Sequence, residues 1–302
     1  MASNKAFVEA SAGSVGALFA CLALFPLDVA KTKHQASIQS TEETSDGKTK
    51  VRKVDTLTIC KTIWDTEGVA GLFAGLGPKA IHTVLSNFCY FYWYAWLKTF
   101  YEKKVGALST AANLAIGALA GAINMSMTLP WEVISTYIQT SGNPNESQWD
   151  VLQALYKQDG VLALWKGYIP SLVLVSNPAI NYTIFDRLKL QLVSATTSLT
   201  ALQAFMLAAI AKSIATVVTY PIIRAKVIMQ AKSDENDDKK SSMTDILQRI
   251  WATDGLHGFF KGCEAQLFNT VLKSALLLMT KEQITFLTLK LLGGATKATA
   301  TR

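Results

Sequence analysis

The chain has 302 residues and a formal net charge of +7; half of its residues are hydrophobic and 17% are charged. Soluble domains carry about 25% charged residues, so this balance points to a membrane protein. Cys21, Cys60, Cys89 and Cys263 form no C-x-x-C, His34, His82 and His257 form no H-E-x-x-H, and no G-x-x-x-x-G-K-[ST] occurs. Zinc sites, a disulfide framework and a P-loop hydrolase therefore have no support.

The first nine residues lack an Arg-rich amphipathic stretch, so no cleaved transit peptide is expected. The last three, Ala300-Thr301-Arg302, are not a peroxisomal import tripeptide. A first apolar stretch is expected to be helical over 6–36 and contains Pro26-Leu27-Asp28-Val29-Ala30-Lys31, with Gln35 nine residues past the proline. A charged loop over 40–53 follows, and then a short amphipathic segment. That segment ends at the block Glu67-Gly68-Val69-Ala70-Gly71-Leu72-Phe73-Ala74-Gly75. Its first glycine is expected to stop the helix in the left-handed cap conformation.

A second helix is expected over 77–101 and a third over 109–140. The third holds Pro130-Trp131-Glu132-Val133-Ile134-Ser135 and Gln139. The block returns as Asp159-Gly160-Val161-Leu162-Ala163-Leu164-Trp165-Lys166-Gly167, before a fourth helix over 168–193. The fifth, over 200–231, holds Pro221-Ile222-Ile223-Arg224-Ala225-Lys226 and Gln230. A charged loop over 232–242 leads to the third block, Asp254-Gly255-Leu256-His257-Gly258-Phe259-Phe260-Lys261-Gly262, and to a sixth helix over 263–290.

Proline, glutamine and an acid-Gly block thus recur three times in one order, which divides the chain into repeats 1–104, 105–196 and 197–302. Solenoid repeats run about 20–50 residues, so these units are too long for a solenoid. Several of the apolar stretches can cross about 30 Å of hydrocarbon at about 1.5 Å per residue. Small residues, as in Gly117-x-x-x-Gly121 and Ala208-Ala209-Ile210-Ala211, allow close helix contact in lipid. Lys79, Lys212 and Lys273 lie inside apolar stretches and must face protein or a water-filled cavity.

Pro-x-[DE]-x-x-[KR] with the acid-Gly block behind it resembles the mitochondrial carrier family. The resemblance covers the whole chain. It implies an all-α membrane protein of six transmembrane helices in three pseudo-symmetric repeats, with both termini in the cytosol. Transport would alternate between states closed on one side and then the other. Within the family, the chain looks like the peroxisomal adenine nucleotide carriers at Ser176-Asn177-Pro178-Ala179-Ile180 and from Ala211 to Pro221. Asn87 to Tyr94 and Ser274 to Met279 are similar to the same group. The implied function is exchange of ATP for ADP or AMP across the peroxisomal membrane, by a monomer in lipid, without cofactor, metal or nucleic acid. Alternatives are a carrier of coenzyme A, FAD or NAD, a home in the mitochondrial inner membrane, and a non-transporting membrane adaptor.

The resemblance also assigns gates. At the inner gate Asp28 should meet position 135, Glu132 position 226, and position 223 Lys31. Ser135 and Ile223 remove two of these pairs, leaving Glu132–Lys226. Asp28 and Lys31 can neutralise each other one turn apart. Gln35, Gln139 and Gln230 brace such a gate in the family. The outer gate retains Lys98, Asp186, Lys189 and Glu282.

For the substrate, the family's contact positions fall on His82, on Leu174 and Val175, and on Asn269 or Thr270. Arginine is absent there, so positive charge is expected from Lys79, Lys212 and Lys273. Asn177 and Asn181 are one turn apart and suit the edge of an adenine ring, and Tyr90 with Tyr94 could stack on it.

Overall fold

The computed structural model describes residues 17–37, 56–192, 201–231 and 242–276. Among the described residues every regular element is helical. The first span is helical over 17–23, breaks at Leu24, and continues as α1 (Phe25–Ala36) with Pro26 in its first turn. Then come α2 (Thr56–Leu72), α3 (Leu76–Lys104), α4 (Thr110–Thr140), α5 (Gln148–Asp159) and a 3-10 turn over Gly160–Trp165. They are followed by α6 (Tyr168–Leu174), α7 (Asn177–Leu192), α8 (Ala201–Gln230), α9 (Met243–Gly258), and α10 over 263–276.

The fourth span departs from the expected single helix over 168–193. It is broken between α6 and α7, just before Pro178. Proline has no N–H, so the Leu174 carbonyl loses its helical donor. The chain tightens there, with Ser176 N–H bonding Val173 C=O at 3.1 Å. Among the described residues two helices, Thr110–Thr140 and Gln203–Gln230, are long and apolar enough to cross a membrane. Phe88, Phe91, Tyr92, Trp96 and Phe100 stand exposed along α3. A surface of that kind suits hydrocarbon better than water.

Each repeat builds its own small core between its first span and its amphipathic helix. Phe25, Val29 and Ala30 pack on Ile63; Val133, Ile134 and Tyr137 pack on Val151 and Leu155; Ala225 packs on Ile246 and Ile250. The inward residues of the amphipathic helices lie one turn apart, and an aromatic follows each set on the outer face: Trp64, Tyr156 and Trp251 are all exposed. Such residues favour the membrane–water interface.

The acid-Gly glycines correct one expectation. Gly68, Gly160 and Gly255 have φ of 66°, 67° and 61°, but ψ of −158°, −154° and −154°. This is the glycine-only region with extended ψ, not the left-handed cap. The chain turns sharply and resumes helical or 3-10 structure. The left-handed residues are the closing glycines, Gly75 and Gly167, with φ, ψ of 74°, 15° and 79°, 16°.

The block aromatic returns to the proline of its own repeat. Phe73 stacks on Phe25 and Phe260 on Tyr220, each pair with ring centroids 6.2 Å apart. Trp165 donates its indole N–H to the Ser126 carbonyl at 2.9 Å. Pro130 leaves that carbonyl without its helical donor, so the tryptophan replaces a bond the proline removes.

Candidate functional site

The three proline-bearing helices, α1, α4 and α8, touch one another pairwise. At their far ends the closing glycine of each repeat meets the glutamine of the next. A Cβ on Gly75 would lie 2.8 Å from the Ser135 carbonyl and 3.5 Å from Gln139 Cγ. One on Gly167 would lie 3.4 Å from Gln230 Cγ, and one on Gly262 3.2 Å from Gln35 Cγ. Glycine is needed at all three positions for its φ, and at Gly75 and Gly262 also for the close approach. Gln35, Gln139 and Gln230 are all buried, so they are not a solvated face.

Three seams result, and their chemistry differs. Between the first and second repeats, Ser135 Oγ donates to the Gly75 carbonyl at 3.1 Å, and Gln139 Nε2 donates to Ser135 Oγ at 3.4 Å. Between the second and third, Lys226 Nζ lies 2.8 Å from both Glu132 carboxylate oxygens. Gln230 Nε2 there donates to the Lys166 carbonyl at 3.4 Å. Between the third and first, Gln35 Nε2 donates to Tyr220 Oη at 3.1 Å, and that hydroxyl donates to the Lys261 carbonyl at 2.7 Å.

Arg224, which the motif pattern does not assign, completes the third seam. It is fully buried. Its Nε donates to the Gln35 carbonyl at 3.3 Å, Nη2 to the Ser37 carbonyl at 3.1 Å and to Asp254 Oδ2 at 3.3 Å, and Nη1 to the Gly258 carbonyl. Lys261 Nζ adds a bond to the Ser37 carbonyl at 2.9 Å. Burial, and then the neighbouring Arg224 charge, pull the Lys261 ammonium below its ordinary range. The sequence does hold a signal for Arg224: the matching positions in the other repeats are Val29 and Val133, both buried. A guanidinium at such a place must satisfy its donors internally.

Asp28 turns to the sixth span rather than to position 135. It is buried, and its Oδ1 accepts from Lys31 Nζ at 2.9 Å and from Asn269 Nδ2 at 2.6 Å. Its Oδ2 accepts from Lys273 Nζ. Above it opens a cavity of about 230 Å³ lined by Lys79, Lys212 and Lys273, together with Cys21, Thr83 and Ser274. Lys212 Nζ lies 3.4 Å from Ser274 Oγ. His82 Nε2 lies 3.9 Å from Glu132 Oε2, beside the ion pair.

Other expected substrate contacts are engaged elsewhere. Tyr90 stacks on Tyr94, one turn away on the same helix, with centroids 6.1 Å apart. Val175 Cγ1 would meet a Cβ on Gly121 at 3.2 Å, and Asn177 Nδ2 donates to Thr219 Oγ1 at 2.7 Å. Both residues therefore join the fourth span to its neighbours. Leu174 is half-buried at the break between α6 and α7. Asn181 Oδ1 is buried with no hydrogen-bond partner among the described residues. At the outer end Lys98 faces Glu102 on its own helix at 3.9 Å, while Asp186 and Lys189 stand exposed. Glu282 lies outside the described residues.

The family model described as "Mitochondrial carrier protein" matches residues 3–105, 106–195 and 197–291 in turn. The chain belongs to the mitochondrial carrier family. It is a multi-pass transmembrane solute carrier. Over 298 residues the carrier is 39% identical to Peroxisomal adenine nucleotide carrier 1 of Glycine max, covering 93% of this chain and 91% of that protein. It is 30% identical to Peroxisomal adenine nucleotide transporter 1 of Saccharomyces cerevisiae, covering 92% of this chain and 90% of that one. A third relative, the Peroxisomal nicotinamide adenine dinucleotide carrier of Arabidopsis thaliana, is 29% identical, with 93% and 96% covered.

Proposed function

We propose that this carrier exchanges adenine nucleotides across the peroxisomal membrane, moving ATP one way and ADP or AMP the other. It works as a monomer in lipid, by alternating access. The carrying observation is the cavity charge. Lys79, Lys212 and Lys273 line one opening, and among the described residues only Lys273 of the three is paired with an acid, Asp28. A cluster of cations this poorly neutralised in an apolar bundle calls for an anionic ligand. A nucleotide polyphosphate supplies several negative charges at once. The relatives named as peroxisomal adenine nucleotide carriers support the same cargo and membrane.

In this conformation the glycine–glutamine end is closed at all three seams, while the outer Asp186 and Lys189 are exposed and have no ion-pair partner among the described residues. Substrate therefore enters from the outer side and must loosen the inner seams to pass. Asn181, with its free carbonyl oxygen, is the residue of the fourth span best placed to bond an amino group of the base. The test is uptake of labelled ATP by proteoliposomes preloaded with AMP. Specific uptake that stops without internal nucleotide is the expected result. Transport of NAD, FAD or coenzyme A with no adenine mononucleotide exchange selects the second reading, which the dinucleotide carrier among the relatives favours. No transport of any of these rejects both.

A further inference from the structure

The pairing of Asp28 is the least expected feature of the cavity. Ser135 offers it no cation across the first seam. Its carboxylate instead turns toward the sixth span, where Asn269 Nδ2 donates to Oδ1 at 2.6 Å and Lys273 Nζ donates to Oδ2. Lys31 holds Oδ1 from one turn away at 2.9 Å. The carboxylate is buried, but the Lys273 side chain is 32% exposed and lines the cavity. Lys79 and Lys212 line the same cavity, and among the described residues no carboxylate pairs with either within 4 Å. Two of the three cavity lysines therefore hold no direct ion pair among the described residues, and the third is already taken.

We infer that Asp28 competes with substrate phosphate for Lys273, so that the carrier holds substrates with more than one phosphate less tightly than its three lysines allow and releases them more readily. This rests on the reading of the cavity as a nucleotide site. A single phosphate is served by Lys79 and Lys212. A di- or triphosphate reaches Lys273 and draws its ammonium off Asp28. That exchange of partners costs the ligand part of its binding energy, because a buried carboxylate gives up one of its cations. The cost falls only on substrates long enough to reach the third lysine. Asn269 and Lys31 remain on Asp28 and keep it satisfied while Lys273 is away. When the substrate leaves, Asp28 recovers Lys273 and helps expel the phosphate. Asp28 is thus a positioning residue: it sets the availability of Lys273 and leaves the substrate contacts to the lysines.

The experiment is ligand binding to the purified full chain, read by thermal shift, with ATP, AMP, tripolyphosphate and orthophosphate as probes. Asp28→Asn should tighten ATP and tripolyphosphate about tenfold and change AMP and orthophosphate by less than about twofold. In proteoliposomes the same variant should lower KM for ATP and lower kcat with it, since release loses its competitor. Lys273→Gln should bring ATP affinity down to within about threefold of AMP. Asn269→Leu removes a donor that satisfies Asp28 while Lys273 is away, so it should weaken ATP about threefold and leave AMP within about twofold; it serves if Asp28→Asn does not fold. Weaker ATP binding in Asp28→Asn, or tighter ATP binding in Asn269→Leu, overturns the inference. So does an equal shift for one and three phosphates, the result expected of a purely structural carboxylate. Wild-type protein that binds tripolyphosphate but not ATP rejects the nucleotide reading and leaves the competition to be scored on tripolyphosphate. Wild-type protein that binds none of the four rejects both.

Discussion

At the seam between the first and second repeats, Ser135 donates one hydrogen bond to the Gly75 carbonyl. At the seam between the third and first, Arg224 donates to three carbonyls and pairs with Asp254. Both seams lack an ion pair that the family's motif would supply, because Ser135 and Ile223 replace the base and the acid. The first is left with neutral polar contacts. The second is rebuilt from the adjacent position, where an arginine reaches carbonyl groups at the C-terminal end of α1. Those carbonyls carry the negative end of the helix dipole, so they receive a cation without any acid on the partner helix. The threefold scaffold therefore tolerates loss of its gate charges differently at each seam, according to what the neighbouring residue can reach.

The sharpest way to break that contrast is at Arg224. Arg224→Ala leaves Asp254 buried without its cation and frees three carbonyls. A loss of about 3–5 kcal/mol is expected, seen as a collapse of the thermal unfolding midpoint in detergent. The double variant Arg224→Met with Asp254→Asn should recover more than half of that loss, because it removes both charges together. An equal loss in the two variants would mean that the arginine acts through its carbonyl bonds alone.

Next comes the seam between the second and third repeats. Glu132→Gln should cost about 2–3 kcal/mol, because Lys226 keeps its place without a countercharge. Glu132→Gln with Lys226→Met should be less damaging than the sum of the single changes, by a coupling of about 1–2 kcal/mol. Additive losses would show that the two side chains are independent in the folded carrier.

The weak seam can also be strengthened. Ser135→Arg with Ile223→Asp offers Asp28 and Lys31 the partners the family pattern predicts. Exchange in proteoliposomes should slow about tenfold, the equivalent of about 1.4 kcal/mol on the closed state. Unchanged or faster exchange would show that these seams do not limit the transport step. Smallest of all is Ser135→Ala, which removes two neutral hydrogen bonds, the one donated to Gly75 and the long one accepted from Gln139, and should cost about 1 kcal/mol of thermal stability.

Much of this molecule is legible in its amino acids. The three Pro–Gln elements and three acid-Gly blocks fix the repeat, and the structure gives the three blocks the same backbone turn at Gly68, Gly160 and Gly255. The span limits also read well, because apolar length is a local property: the expected 109–140 and 200–231 appear as Thr110–Thr140 and Ala201–Gln230. The break before Pro178 was available from the proline itself. The expected substrate residues divide in the structure. Lys79, Lys212 and Lys273 do share one cavity, but Tyr90, Val175 and Asn177 are engaged in helix packing. A residue's type shows what it can bind, and its neighbours decide whether it is free to do so.

By itself the sequence determined the threefold plan, the positions where charge is missing from the motifs, and the three lysines placed in apolar spans. These follow from residue spacing and from the cost of charge in hydrocarbon, neither of which needs a partner to be known. Only the tertiary structure decided that Asp28 turns to Lys273 rather than across the first seam, and that Arg224 reaches the end of α1. Both pairings join residues far apart in the chain. A buried charge takes whichever donor or acceptor the packed helices bring within about 3 Å, and that choice is made only when the helices assemble.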